Sequence, residues 1–137
     1  MSWLHWALLS AAFAGMTAVL AKVGVRDVNS DLATALRTSF ILPLVWGISL
    51  VRNPQPLSAI SRTAWVFLGL SALATGASWL CYFRALQLGQ ASRVAPIDKL
   101  SIVLVMIFAV CFLGERLTWK VGIGAVLVST GAALMAI

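Results

Sequence analysis

Apolar residues run in five long stretches along this chain, and the polar residues gather between them. The first stretch is 3–25, uncharged until Lys22; the second, 32–51, is interrupted by Arg37. The third, 64–86, is uncharged until Arg84; the fourth is 94–113; the fifth, 119–137, carries only Lys120 near its start. Roughly 20 residues of helix cross a hydrocarbon core of about 30 Å. The pattern therefore predicts an all-α fold, an integral membrane bundle of five transmembrane helices forming a single domain over 1–137.

The connections carry turn chemistry. In "VRDVNSD", Asn29 or Ser30 can cap the second helix. In "RNPQPLSAISR", Pro54 and Pro56 end a helix and hold the loop extended. Gly89 in "QLGQASR" and Gly114 in "GERLTWK" stand where helix terminators belong. "AAFAG" resembles a cleavage site, but no basic region precedes it and the apolar run continues past it, so it reads as part of span one.

Composition supports lipid as the solvent. Only 10% of residues are charged and 61% are hydrophobic, against about 25% charged in soluble domains. The net charge of +6 comes from Lys and Arg spread near the ends of the apolar runs. That is interfacial anchoring and gives no reason to expect nucleic acid. Cys81 and Cys111 lie inside apolar runs and read as buried, inert thiols; the single histidine is His5. These residues suggest neither a metal site nor a cofactor, and no nucleophile–base pair suggests an enzyme. Trp3, Trp6, Trp46, Trp65 and Trp119 sit near span ends, as an interfacial belt would. Trp79 lies deeper and is the candidate for a cavity.

Five spans put the termini on opposite sides. Arg52, Arg62, Arg116 and Lys120 share the side of the N-terminus. Arg26, Arg84 and Arg93 lie on the other, joined by Lys22, Arg37 and Lys99 if residues inside spans count. A single orientation normally shows a clear Lys/Arg excess on one side. Here there is almost none, which fits insertion both ways or an orientation only weakly fixed.

The charges inside spans carry the chemistry. The uncharged run 100–113 has 14 residues, about 21 Å of helix, so the fourth helix must start earlier. Pro96 fits a first-turn position there, which would put Asp98 near the positive end of the helix dipole and let Lys99 snorkel. A functional reading competes. Lys22, Arg37, Arg84, Asp98 and Lys99 fall in one half of the membrane, where lone charges pair or face water. Arg37 and Asp98 are natural partners. Tyr82 and Trp79 join Arg37, Asp98 and Lys99 as candidate substrate contacts. Thr34 and Thr38 flank Arg37, while Ser71, Thr75 and Ser78 share a stripe with Tyr82 and Ser101 follows Asp98; these six hydroxyls are the candidate polar lining. Back-bonding to the helix is their structural alternative. Pro43 should kink the second helix.

Two stretches resemble one family. "LGERLTWKVGIGAVLVSTGAALM" is similar to the closing half of an EamA domain of the drug/metabolite transporter superfamily, through Leu113, Gly114, Glu115, Gly122 and Gly131. "YFRALQLGQASRVAPIDKLS" is similar to the preceding stretch, through Ala85, Leu86, Gly89, Ala95 and Pro96, and its "VAPIDKLS" resembles a five-helix bacterial and archaeal subgroup. The resemblance implies one half of a ten-helix inverted-repeat transporter, so a transport path needs an inverted homodimer or an oppositely oriented partner. It implies alternating access around a cavity lined by spans one to four, with span five outside, in a prokaryotic cytoplasmic membrane. Small multidrug resistance proteins use a glutamate in their first helix; span one here has no acid. The cavity's Arg and Lys residues suggest an anionic or zwitterionic solute. The other reading is a non-transporting membrane subunit that stabilises a partner.

Overall fold

The computed structural model describes residues 2–52 and 56–136. Among them the chain is helical, with no strand: α1 Trp3–Gly24, α2 Ser30–Arg52, a 3₁₀ turn Leu57–Ala59, α3 Arg62–Leu88, α4 Ala91–Asp98, α5 Ser101–Leu113 and α6 Trp119–Ala136. Helices α4 and α5 together make one crossing, and five spans are long and apolar enough for a membrane. Large apolar side chains stay exposed along every span, with Val51 at 86% and Phe112 at 80%. A soluble protein could not leave them so; lipid accounts for it. Cys81 and Cys111 are exposed too, which corrects the expectation of buried thiols: the helix faces that carry them are not covered by protein.

The chain divides into two compact units, residues 23–87 and residues 1–22 with 88–137. The first holds α2 and α3. Its start is set by Asn29, whose side-chain Oδ1 accepts the Asp31 N–H at 2.8 Å and the Leu32 N–H at 3.3 Å. This satisfies two of the donors that a helix start leaves orphaned. Val25, Ser30, Thr34, Phe83 and Leu86 are the buried residues here, grouped where α2 begins and α3 ends. Gln87 ties the α1–α2 connection to that end. Its Nε2 donates to the Val28 carbonyl at 3.0 Å, and its Oε1 accepts from Arg84 at 2.8 Å. Pro56 is extended, with φ −62° and ψ 134°; Pro54, and the expected end of span five at Ile137, lie outside the described residues.

In the other unit, the Lys22 ammonium donates to the Gly89 carbonyl at 2.6 Å, fastening the end of α1 to the turn before α4. Gln90 is extended and its carbonyl receives the Arg93 and Val94 N–H groups, so α4 starts at Ala91. This corrects the placement of Pro96 in a first turn. It is the sixth residue of α4, and Asp98 is the last. Downstream, Lys99, Leu100, Ile102 and Val103 each donate to the carbonyl three residues back. That is 3₁₀ geometry, and it divides the fourth span at Lys99 and Leu100. Pro96 lacks an N–H and its ring crowds the Ser92 carbonyl, which weakens the turn just before this break. Helix α6 packs along α4. Gly114 ends α5 with φ 68°, a left-handed conformation natural to glycine.

Candidate functional site

Arg37 is the eighth residue of α2, about 10 Å along the helix from its start. It is half-buried. Thr34, Arg37 and Ile41 recur at helical spacing and are more covered than their neighbours, which marks the protein-facing side of α2. On α3 the corresponding residues are Trp79, Phe83 and Leu86. The Arg37 guanidinium carbon lies 4.4 Å from the Trp79 ring centroid and 5.6 Å from that of Phe83. These are cation–π distances. Of the six tryptophans, Trp79 is the one that is not exposed. Among the described residues the guanidinium has no ion pair and no hydrogen bond. Asp27 and Asp31 belong to the same unit and neither pairs with it.

Asp98 and Lys99, in the other unit, meet at the break in the fourth span. The Lys99 Nζ is 3.4 Å from an Asp98 carboxylate oxygen, and their side chains are 54% and 37% exposed. A tight charge-assisted bond would be nearer 2.8 Å. This pair is loose, accessible and net neutral. It answers the first-turn expectation: Asp98 stands at the carbonyl end of α4, where a carboxylate is disfavoured and a neighbouring ammonium offsets it. Lys99 also reaches the rim of an open groove of about 570 Å³ that α4 shares with Gly131 and Ala132 of α6.

The candidate lining divides by partner. Thr34, Thr38 and Thr75 each donate to the carbonyl four residues back, all at 2.8 Å, so their protons are spent on their own helices. Ser71, Ser78 and Ser101 are exposed. The Ser71–Tyr82 stripe is rotated by roughly 80° around α3 from the Trp79–Phe83–Leu86 face that meets α2. Tyr82 belongs to that stripe and is half-buried. Sequence reasoning missed Phe83 and Gln87. The signal for Phe83 was its spacing of four from Trp79; Gln87 had none, since a lone glutamine near a span end is ordinary.

The profile of the EamA-like transporter family matches residues 1–137. A Sinorhizobium protein named as an uncharacterized transporter in the cobO 3′ region is 56% identical over 137 residues, covering 99% of this chain and 97% of that protein. No solved structure matches. The chain belongs to the EamA-like transporter family. It is an integral membrane protein of a transporter family, and the five apolar spans are the structural counterpart of that membership.

Proposed function

We propose that this protein moves a small anionic or zwitterionic metabolite across a prokaryotic cytoplasmic membrane by alternating access, acting as an inverted homodimer. The family supports transport. The carrying observation is Arg37: a permanent cation inside a span, with no carboxylate pairing it among the described residues. Such a charge is costly in hydrocarbon and marks a solute path. Asp98, Lys99, Tyr82 and Trp79 complete the proposed contacts, and Thr34, Thr38, Ser71, Thr75, Ser78 and Ser101 the polar lining. One five-span domain, residues 1–137, is half of the required path. The near-equal Lys/Arg distribution supports two orientations in one membrane.

The test is topological. Cys81 and Cys111 are replaced by Ala, one cysteine is placed after Ile137, and intact cells are treated with an impermeant thiol reagent. Labelling of about half the protein, with the remainder reached only after lysis, is the expected outcome. Complete labelling, or none, rejects the inverted homodimer. Proteoliposomes incubated in a metabolite extract then report transport directly, and Arg37→Ala should abolish the uptake.

A further inference from the structure

Arg37 differs from an ordinary structural arginine in what holds it. A salt bridge would occupy the N–H edge of the guanidinium. Here the face is held and the edge is not. The Trp79 ring lies 4.4 Å from the guanidinium carbon and Phe83 closes a second side at 5.6 Å. Aromatic faces attract a cation through their quadrupole but cannot neutralise its charge or accept its five N–H bonds as a carboxylate would. The arrangement therefore fixes the orientation of the fork and leaves its charge unspent. Phe83 is 3% exposed, so its ring cannot swing away without repacking.

We infer that Trp79 and Phe83 are positioning residues that present the Arg37 edge to the carboxylate of an organic acid. This rests on the transporter reading and deepens it by naming the substrate class. A carboxylate offers two coplanar oxygens that match the fork in a bidentate pair. The half-buried aromatic surroundings favour an organic carboxylate over inorganic phosphate, whose higher charge loses more hydration on entry. Three consequences separate this arrangement from simple attraction between charges. Lysine cannot replace Arg37, because it has neither a face to stack nor a fork. An uncharged amide of the same shape cannot replace the acid. Phe83 acts through Arg37, so a change there weakens carboxylate binding while an aromatic substitute preserves it.

The measurement uses the full chain in detergent, with Trp3, Trp6, Trp46, Trp65 and Trp119 changed to Phe so that Trp79 alone emits. Benzoate, benzamide and inorganic phosphate are the probes. Benzoate should shift Trp79 emission saturably and the other two should not. Arg37→Lys should weaken the response by at least about tenfold, Phe83→Leu by several-fold, and Phe83→Tyr should retain it. An equal response to benzamide or phosphate, an unchanged response in Arg37→Lys or Phe83→Leu, or no response to benzoate overturns the inference. If the five-fold tryptophan variant does not fold, the thermal midpoint of the unaltered protein with the same probes, and of its Arg37→Lys and Phe83→Leu variants, decides it on the same criteria. Binding is read without transport. A benzoate response with no uptake by proteoliposomes would remove the transporter reading and leave the subsite standing; metabolite uptake without a carboxylate response would do the reverse.

Discussion

Two of the cations inside the spans of this protein are kept there by opposite means. Arg37, on α2, rests on the rings of Trp79 and Phe83. Lys99, at the break between α4 and α5, leans on the carboxylate of its chain neighbour Asp98. The first region is aromatic and keeps a net charge of one. The second is ionic and sums to zero. A π-face contributes on the order of 0.5–2 kcal/mol to a cation, and the cation's full attraction for an anion survives. An acid removes that attraction. The difference teaches where an incoming anion should go first: to Arg37, with Lys99 available only after its partner releases it.

The sharpest way to break this comparison is to remove each cation separately. Arg37→Ala should eliminate the benzoate response, a loss of at least about tenfold. Lys99→Ala should weaken it by several-fold at most, through the Asp98 carboxylate it leaves unpaired and not through the fork itself. Equal losses in the two variants, measured as dissociation constants in detergent, would show that the regions are not different in kind.

A smaller effect is expected from Asp98→Asn. That substitution keeps the shape of the side chain and frees the Lys99 ammonium, turning the neutral region into a second cationic one. Anion affinity should rise by several-fold, with a steeper dependence on ionic strength as an exposed charge is added. Lower affinity would mean that Asp98 orients Lys99 toward the solute and does not compete with it.

The fourth span can be altered without touching a charge. Pro96→Ala restores an N–H donor and relieves the crowding of the Ser92 carbonyl. The i→i−3 bonds of Lys99, Leu100, Ile102 and Val103 should relax toward i→i−4. Amide exchange at Leu100–Val103, followed by mass spectrometry in lipid nanodiscs, should slow by about tenfold if local opening becomes costlier by ~1.4 kcal/mol. Unchanged exchange would place the cause of the break elsewhere, with the Asp98–Lys99 pair as the remaining local feature.

The spans, their order and a cap at Asn29 or Ser30 were legible because each follows from local rules: apolar run length, cap chemistry and turn residues; the structure selects Asn29. The position of Asp98 was misread for a physical reason. Proline is welcome in a first turn and tolerated at a distortion, and the sequence "RVAPIDKLS" admits both. The decision lay in Gln90, whose extended backbone starts α4 five residues before Pro96 is reached. The aromatic hold on Arg37 was half legible. Trp79 stood out as the one tryptophan away from a span end, but Phe83 is indistinguishable in sequence from any lipid-facing phenylalanine. Only its burial, 3% exposed beneath the Arg37 guanidinium, separates it from Phe67, which is 67% exposed.

The smallest expected effect tests what sets the Arg37 geometry. Asn29 caps α2 eight residues before Arg37, accepting two N–H groups at 2.8 and 3.3 Å. Asn29→Ala should cost about 1 kcal/mol of stability, visible as a fall of a few degrees in the thermal midpoint. Its effect on benzoate binding should be negligible. The aromatic contacts lie more than two turns beyond the cap, and fraying at a helix end is confined to its first turn. If the cap variant loses carboxylate affinity in proportion to stability, the cradle is held from the start of α2, and Trp79 and Phe83 only follow. Arg37 would then resemble Lys99 after all, a cation whose placement is decided by its own helix and not by the helix across from it.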